Sequence, residues 1–208
     1  MKIVFFGDSI TDANRMRERD DRIYSYGCGY PSFIAAELQS KDPENYEIIN
    51  RGISGNRSVD LYARIKSDVW NLQPDVVSIL VGINDIWHEM EVQNGVDLKR
   101  FEYVYERILA DTQEKLPNVK FILCEPFVLR GVATESWEAE FELVKEYAQA
   151  TKRVAEKFGA YYLPLQTTLS DAAEKFQAKY ILSDGVHPTA VGAKLIADEW
   201  LKLFHEKF

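Results

Sequence analysis

Val76-Val77-Ser78-Ile79-Leu80-Val81 and Val119-Lys120-Phe121-Ile122-Leu123-Cys124 decide the architecture. Each is nearly continuous in apolar residues, the pattern of a strand buried on both faces and not of one alternating between core and water. The first lies in a strand predicted over residues 75–81, the second fills one over 119–124. Three further short runs, 2–6, 46–50 and 160–163, extend the set to five. Longer stretches of helical spacing fall between and after them. Residues 31–39 open on Pro31, which suits the first turn of a helix. Residues 58–72 place Leu61, Ile65, Val69 and Leu72 on one side behind a Ser58 cap. The same periodicity predicts helices over 101–116, 137–158 and 189–204.

Strands alternating with helices imply an α/β fold: a three-layer α/β/α sandwich around a five-stranded parallel sheet, flavodoxin-like. Right-handed crossovers then bring the carboxyl ends of all strands to one edge, where ligands bind. No internal repeat and no Ser/Gly linker divides the chain, so residues 1–208 are expected to form a single domain. Residues 11–30 are the longest stretch without a pattern, and loops of that length are usually functional or mobile. Within it Arg15, Arg17, Arg19 and Arg22 alternate with Asp20 and Asp21, which reads as a solvated loop.

Composition narrows the function. The chain has 208 residues, 46% apolar and 28% charged, an ordinary globular balance that excludes disorder. Its longest apolar stretch, 76–83, is interrupted by Ser78 and Gly82 and falls far short of the ~20 residues a bilayer requires. Acidic residues outnumber basic ones 33 to 25, for a net charge of −8, and no Lys/Arg cluster offsets them. Such a surface repels phosphate backbones, so neither nucleic acid nor membrane is an expected partner. Residues 1–7 hold one lysine and four apolar residues before Gly7, too little for a signal peptide. Cys28 and Cys124 have no CxxC partner, which points to reduced thiols and a cytoplasmic protein. Three histidines without clustered cysteines offer little to a metal, and no cofactor is expected. The 12% aromatic content leaves a homo-oligomer open.

The chemistry is sought after the strands. Gly7-Asp8-Ser9-Ile10-Thr11, Asn50-Arg51-Gly52-Ile53-Ser54-Gly55-Asn56 and Gly82-Ile83-Asn84-Asp85 are three small, polar turns at the same predicted edge. Each alone reads equally as a strand-to-helix connection. Ser183-Asp184-Gly185-Val186-His187-Pro188 changes the weighing. Asp184 and His187 are spaced so that the carboxylate can bond Nδ1, fixing the tautomer and leaving Nε2 to accept a proton. The competing reading is a helix-entry loop in which Asp184 caps amides and His187 is exposed. Ser9, at the end of the first strand, is the candidate nucleophile.

These four turns, in this order, resemble the four sequence blocks of the SGNH (GDSL) hydrolases, and they span residues 7 to 188. The resemblance implies a serine esterase on the SGNH fold. Ser9 would attack an ester carbonyl, His187 would take its proton and Asp184 would stabilise the imidazolium. The oxyanion would be held by the backbone N–H groups of Ser9 and Gly55 and the side-chain amide of Asn84. The G-x-S-x-G elbow of the α/β-hydrolases is lacking, since Gly52-Ile53-Ser54-Gly55 runs on into Asn56; Ser9 is therefore preferred to Ser54. Asp8 and Asp85 are expected to bond loop amides. Trp87 and Tyr30 are candidates for the substrate wall, with core packing as the alternative for both and for Phe127. His88 and His205 are expected to face solvent.

Within the family, the GDSIT-D opening, Gly27-Cys28-Gly29-Tyr30, RGISGN and GINDIW are most similar to small intracellular acetyl esterases acting on xylan-derived oligosaccharides. That likeness implies a small acylated substrate, an acetylated sugar. Ser183 departs from the group, which carries Trp before the catalytic Asp, so the sugar-side pocket is left unassigned. A lysophospholipase or acyl-thioesterase on the same triad is the alternative, and a non-catalytic carbohydrate-binding protein is a third.

Overall fold

A computed structural model describes residues 1–18 and 23–208. Five strands, β1 (Lys2–Gly7), β2 (Glu47–Gly52), β3 (Val76–Leu80), β4 (Lys120–Cys124) and β5 (Tyr161–Leu163), form one sheet in the order β2-β1-β3-β4-β5. Every pairing is parallel. Around it lie α1 (Ser9–Asp12), α2 (Tyr30–Lys41), α3 (Ser58–Asp68), α4 (Ile83–Val92), α5 (Leu98–Lys115), α6 (Glu138–Phe141), α7 (Val144–Phe158), α8 (Gln166–Phe176) and α9 (Ala190–Lys207). None of the described helices is long and apolar enough to cross a membrane.

The continuous apolar runs sit where two-sided burial requires. All five residues of β3 are buried, and Ile3 to Phe6 of β1 are fully enclosed. Successive side chains point to opposite faces. Phe5 meets Tyr30 of α2 and Trp200 of α9, with ring centroids 5.5 and 5.3 Å away. Phe6 lies under the Arg64 guanidinium of α3, at 4.4 Å. Helices α2 and α9 pack together, as do α3, α5 and α7, which gives the sheet its two covers. Trp200 is fully buried and its indole N–H donates to Ser78 Oγ at 3.0 Å, so the one polar side chain of β3 is satisfied. Cys28 is exposed, Cys124 is buried, and both are free.

The helices depart from the periodic reading in several places. The 58–72 pattern is α3 only to Asp68; a 3-10 turn, Trp70–Leu72, follows and ends at Gln73 with φ 51°, before Pro74. Ser58 is the first helical residue and not the cap, a place taken by Arg57, whose N–H donates to Asp60. The expected helix over 137–158 is broken into α6 and α7, which lays buried Phe141 edge-on against Trp87 at 5.8 Å. Helices α4 and α8 are not signalled by the periodicity. Nor is residues 11–30 wholly irregular: α1 occupies its start and a 3-10 turn covers Ile23–Tyr26.

Register positions the functional edge. Gly7 is paired with Gly52 on one side and Leu80 on the other, so β1, β2 and β3 end level. A Cβ added at Gly52 would lie 2.2 Å from the Asp12 backbone nitrogen and 2.6 Å from the Thr11 carbonyl carbon, so β2 ends directly against α1. Gly52→Ala is expected to cost about 1–3 kcal/mol of stability, the usual penalty of overpacking, read as a lower urea midpoint at unchanged slope.

Asp8 caps α1 by accepting the Ile10 N–H at 3.0 Å. Its other oxygen is buried with no hydrogen-bond partner among the described residues. Burial raises its pKa to about 7, against the lowering effects of the Ile10 bond and the His187 charge. The unfolded carboxyl ionises near pH 4. Its stabilising contribution is therefore complete below that pH and is lost as pH rises toward the folded value, by up to about 1.4 kcal/mol per pH unit. Asp8→Asn removes this titration. Urea unfolding from about pH 4.5 to 7 should show the parent losing stability relative to the variant; parallel curves would contradict it.

Candidate active site

The site grows from the level ends of β1, β2 and β3. The chain leaves β1 for β2 on one side and returns past it to β3 on the other, so a crevice opens where the strand order reverses. Ser9 begins α1 directly above β1. Gly55, with φ 82°, follows β2, and Asn84 stands in the first turn of α4 above β3. Gly82 makes that last turn possible, with φ 135° at the N-cap of α4, a conformation closed to other residues without strain. The Asn84 side-chain amide donates to the Asn56 carbonyl at 3.0 Å and so ties the second turn to the third.

The fourth segment approaches from just before α9. Asp184 Oδ1 accepts the N–H groups of Val186 and His187, at 2.9 and 2.8 Å, and its Oδ2 meets His187 Nδ1 at 2.7 Å. His187 Nε2 lies 2.8 Å from Ser9 Oγ. Burial works to raise the Asp184 pKa, but the hydrogen bonds from His187 and Val186 outweigh it and hold the carboxyl below its ordinary value. Ser183 closes this turn, its N–H donating to the His187 carbonyl at 2.8 Å and its hydroxyl to the same oxygen at 3.1 Å. Ser54 is exposed, and its N–H is bound by Asp12 at 2.9 Å.

A cavity of about 630 Å³ opens beside this array, lined by Ser9, Asp12, Asn14, Arg17, Ser54 and His187 among others. Trp87 stands near the imidazole, half-buried, with its ring centroid 6.1 Å from that of His187. Tyr30 does not join it. It is 1% exposed, its hydroxyl bonds Thr11 Oγ1 at 3.0 Å and its ring packs on Phe5, so it belongs to the core. Phe127 is buried as well. His88 corrects the expectation of a solvated ring: it is half-buried, about 4.0 Å from where a Gly55 side chain would begin. His205 is exposed.

Arg15 corrects the solvated-loop reading, whereas Arg17 is exposed as expected. Arg15 is 8% exposed and its Nε donates to the Gly52 carbonyl at 2.8 Å, while Arg17 pairs with Asp12 at 2.5 Å. Arg19, Asp20, Asp21 and Arg22 lie outside the described residues. Asp85 bonds a loop as expected, accepting the Ser58 N–H and, at 2.5 Å, its hydroxyl. Burial pushes its pKa to about 7 against those bonds. Among the described residues, no three His, Cys, Asp or Glu are grouped to hold a metal ion.

Two supports escaped the sequence reading. Arg64 of α3 donates to the carbonyls of Gly7 and Arg51 at 3.0 and 2.8 Å and to Asn56 Oδ1 at 2.7 Å, pinning two strand ends and a turn together. Its signal is faint: a basic residue on the helix beside Leu61 and Ile65 that face the core. The other support is the 129–134 segment. Leu129 N–H donates to the Gly185 carbonyl at 2.8 Å, Ala133 N–H to that of Asp184 at 2.9 Å, and a side chain at Gly131 would strike the Asp184 carbonyl.

Known proteins resemble this chain in sequence and fold. Residues 5–195 match the GDSL-like Lipase/Acylhydrolase family. An acetylxylan esterase from Geobacillus stearothermophilus is 30% identical over 207 residues, covering 97% of this chain and 92% of its own. Its crystal structure superposes with a TM-score of 0.86 at 29% identity, over 97% and 92% of the two chains. Structures of catalytic mutants of that esterase replace a serine, an aspartate and a histidine by alanine, the latter two with the three-residue spacing seen here. A candidate GDSL-like lipase from Parabacteroides merdae superposes with a TM-score of 0.93 at 36% identity, over 99% of this chain and 96% of its own. The match runs through all four turns, and the chain belongs to the GDSL-like lipase/acylhydrolase family of carboxylic ester hydrolases.

Proposed function

We propose that this chain is a serine esterase that removes acetyl groups from carbohydrates such as xylo-oligosaccharides, working as a single domain in the cytoplasm. The observation that carries the mechanism is the unbroken relay from Ser9 Oγ through His187 to Asp184, with contacts of 2.8 and 2.7 Å. His187 Nε2 removes the Ser9 proton as Oγ attacks the acetyl carbonyl, and Asp184 stabilises the imidazolium. The negative charge moves onto the carbonyl oxygen, which the N–H groups of Ser9 and Gly55 and the amide of Asn84 receive. The acyl carbon–sugar oxygen bond then breaks as the carbonyl re-forms on Ser9, and His187 protonates the departing sugar oxygen. Water, deprotonated by the same imidazole, releases acetate and restores Ser9.

The substrate reading draws on the acetylxylan esterase relative and on the site itself. The cavity beside Ser9 is lined by Asp12, Asn14, Arg17 and Ser54, side chains suited to hydroxyl groups, together with the small apolar surfaces of Ile10, Ala13 and Pro188. The half-buried Trp87 ring offers a flat apolar surface beside the imidazole, of the kind sugar rings stack on. The cytoplasmic assignment draws on two unpaired cysteines, one of them exposed.

Ser9→Ala and His187→Ala are each expected to lower turnover of p-nitrophenyl acetate about 10³-fold or more in a folded protein. A variant keeping a tenth of the parent rate would contradict these roles, as would an organophosphonate label that maps to Ser54 and not Ser9. Rates on p-nitrophenyl esters should fall from acetate toward decanoate, and acetate should be released from acetylated xylo-oligosaccharides. A preference for acyl chains of about eight carbons or more would favour a lysophospholipase or thioesterase instead.

A further inference from the structure

Gly55 carries an anion-pocket N–H in the mechanism above, yet little holds it. Ser54 is exposed, Gly55 has no side chain, and nothing lies closer than about 4.0 Å to the place where one would start. Glycine is also the most freely rotating residue, so the direction of its N–H depends on its neighbours' hydrogen bonds. Its neighbours are held by Ile53 N–H to the Gly7 carbonyl at 3.0 Å, Asn56 N–H to the Ile53 carbonyl at 3.2 Å, the Asn84 amide and the Arg64 guanidinium on Asn56 at 3.0 and 2.7 Å, and Ser54 N–H to Asp12 Oδ2 at 2.9 Å. Among the described residues, only the last joins this loop to α1, the element that carries Ser9.

Asp12 is built for that contact. It closes the single turn of α1 that begins at Ser9, and its own N–H donates to the Asp8 carbonyl at 2.8 Å. Its side chain is 5% exposed, with Oδ1 accepting the Arg15 N–H at 3.2 Å and Oδ2 shared between Ser54 N–H and the Arg17 guanidinium. The next two residues, Ala13 and Asn14, are left-handed at φ 41° and 60°, a conformation costly for alanine. Gly27 and Gly29 pack on this turn, where side chains would meet the Asp12 carbonyl at 2.4 Å and Ala13 Cβ at 2.7 Å. Cys28 N–H donates to the Ala13 carbonyl at 2.9 Å. The Gly27-Cys28-Gly29 segment thus holds the strained turn in place.

We propose that Asp12 is a positioning residue for the anion pocket: its carboxylate holds the Ser54 N–H and thereby fixes the Ser54–Gly55 peptide relative to Ser9. The inference rests on the acyl-transfer reading of this site. One rigid turn then carries the attacking oxygen at its first residue and the clamp on the charge-receiving loop at its last.

Steady-state kinetics on p-nitrophenyl acetate test it. Asp12→Ala is expected to lower kcat about 10- to 100-fold with KM changed less than about threefold, and to slow organophosphonate labelling of Ser9 in proportion. Asp12→Asn, which keeps an acceptor oxygen, should recover most of that loss, as general loosening of the fold would not. A folded Asp12→Ala protein with kcat within about threefold of the parent would overturn the proposal, as would equal losses for Ala and Asn or an effect confined to KM. Should Asp12→Ala fail to fold, Ser54→Pro deletes the donor while leaving the carboxylate, and an unchanged kcat there is equally fatal. Ser9→Ala in the same assay separates the two ideas. If it remains active the acyl-transfer reading falls; if it is dead while Asp12→Ala is unaffected, only the positioning role falls.

Discussion

The two ladders that β1 forms, one with β2 and one with β3, fix what every other part of the site is measured from. Gly7 sits between Gly52 and Leu80, and the three turns that follow start from one level. Closeness is part of the arrangement, because a side chain at Gly7 would lie 2.4 Å from Thr11 Oγ1 and 2.5 Å from the Leu80 carbonyl. A shift of one residue in either pairing would exchange the strand's side chains between the two helical layers and move one turn away from the others by a residue's rise, about 3.3 Å. The apolar content of the strands therefore does two things at once. It drives burial, and it sets the alignment on which hydrogen-bond distances near 2.8 Å depend.

Electrostatics at the edge follow from where each carboxylate is placed. Asp184 takes three hydrogen bonds from the His187 turn and stays charged, which suits a group facing an imidazole that gains a proton. Asp8 and Asp85 lie deeper, and burial raises both to about 7. Below that pH each carboxyl carries its proton and adds no repulsion beneath a place where negative charge develops. The chain is acidic as a whole, at −8, and it keeps cations where the backbone needs them: Arg64 on the carbonyls of β1 and β2, Arg15 on that of Gly52.

The sheet and the arrangement of the candidate site are legible in the sequence for a physical reason. Strands buried on both faces must be apolar throughout, so β3 and β4 stand out; a turn that approaches its neighbours closely needs Gly, Ser, Asn or Asp, so the four blocks stand out as well. The helices were less legible where tertiary contacts override local preference. The pattern over 137–158 is continuous, but the chain breaks between Phe141 and Val144 to seat Phe141 against Trp87. Tyr30 and Trp87 are alike as sequence features; one is sealed against Phe5 and the other stands beside His187, a difference that only the packing of α2 and α4 decides. Arg64 and Gly131 act through main-chain groups distant in sequence, and nothing in their local pattern announces it.

The four tryptophans occupy unlike surroundings, and two of them divide the molecule optically. Trp200 is sealed between Phe5 and Phe204, its N–H held by Ser78, so its emission reports whether the interior is intact. Trp87 is half-open to solvent and stands beside the His187 imidazole, whose charge changes during turnover in the proposed mechanism. With Trp70 and Trp137 replaced, one chromophore would follow melting and the other ligand arrival, two signals from a single unlabelled polypeptide.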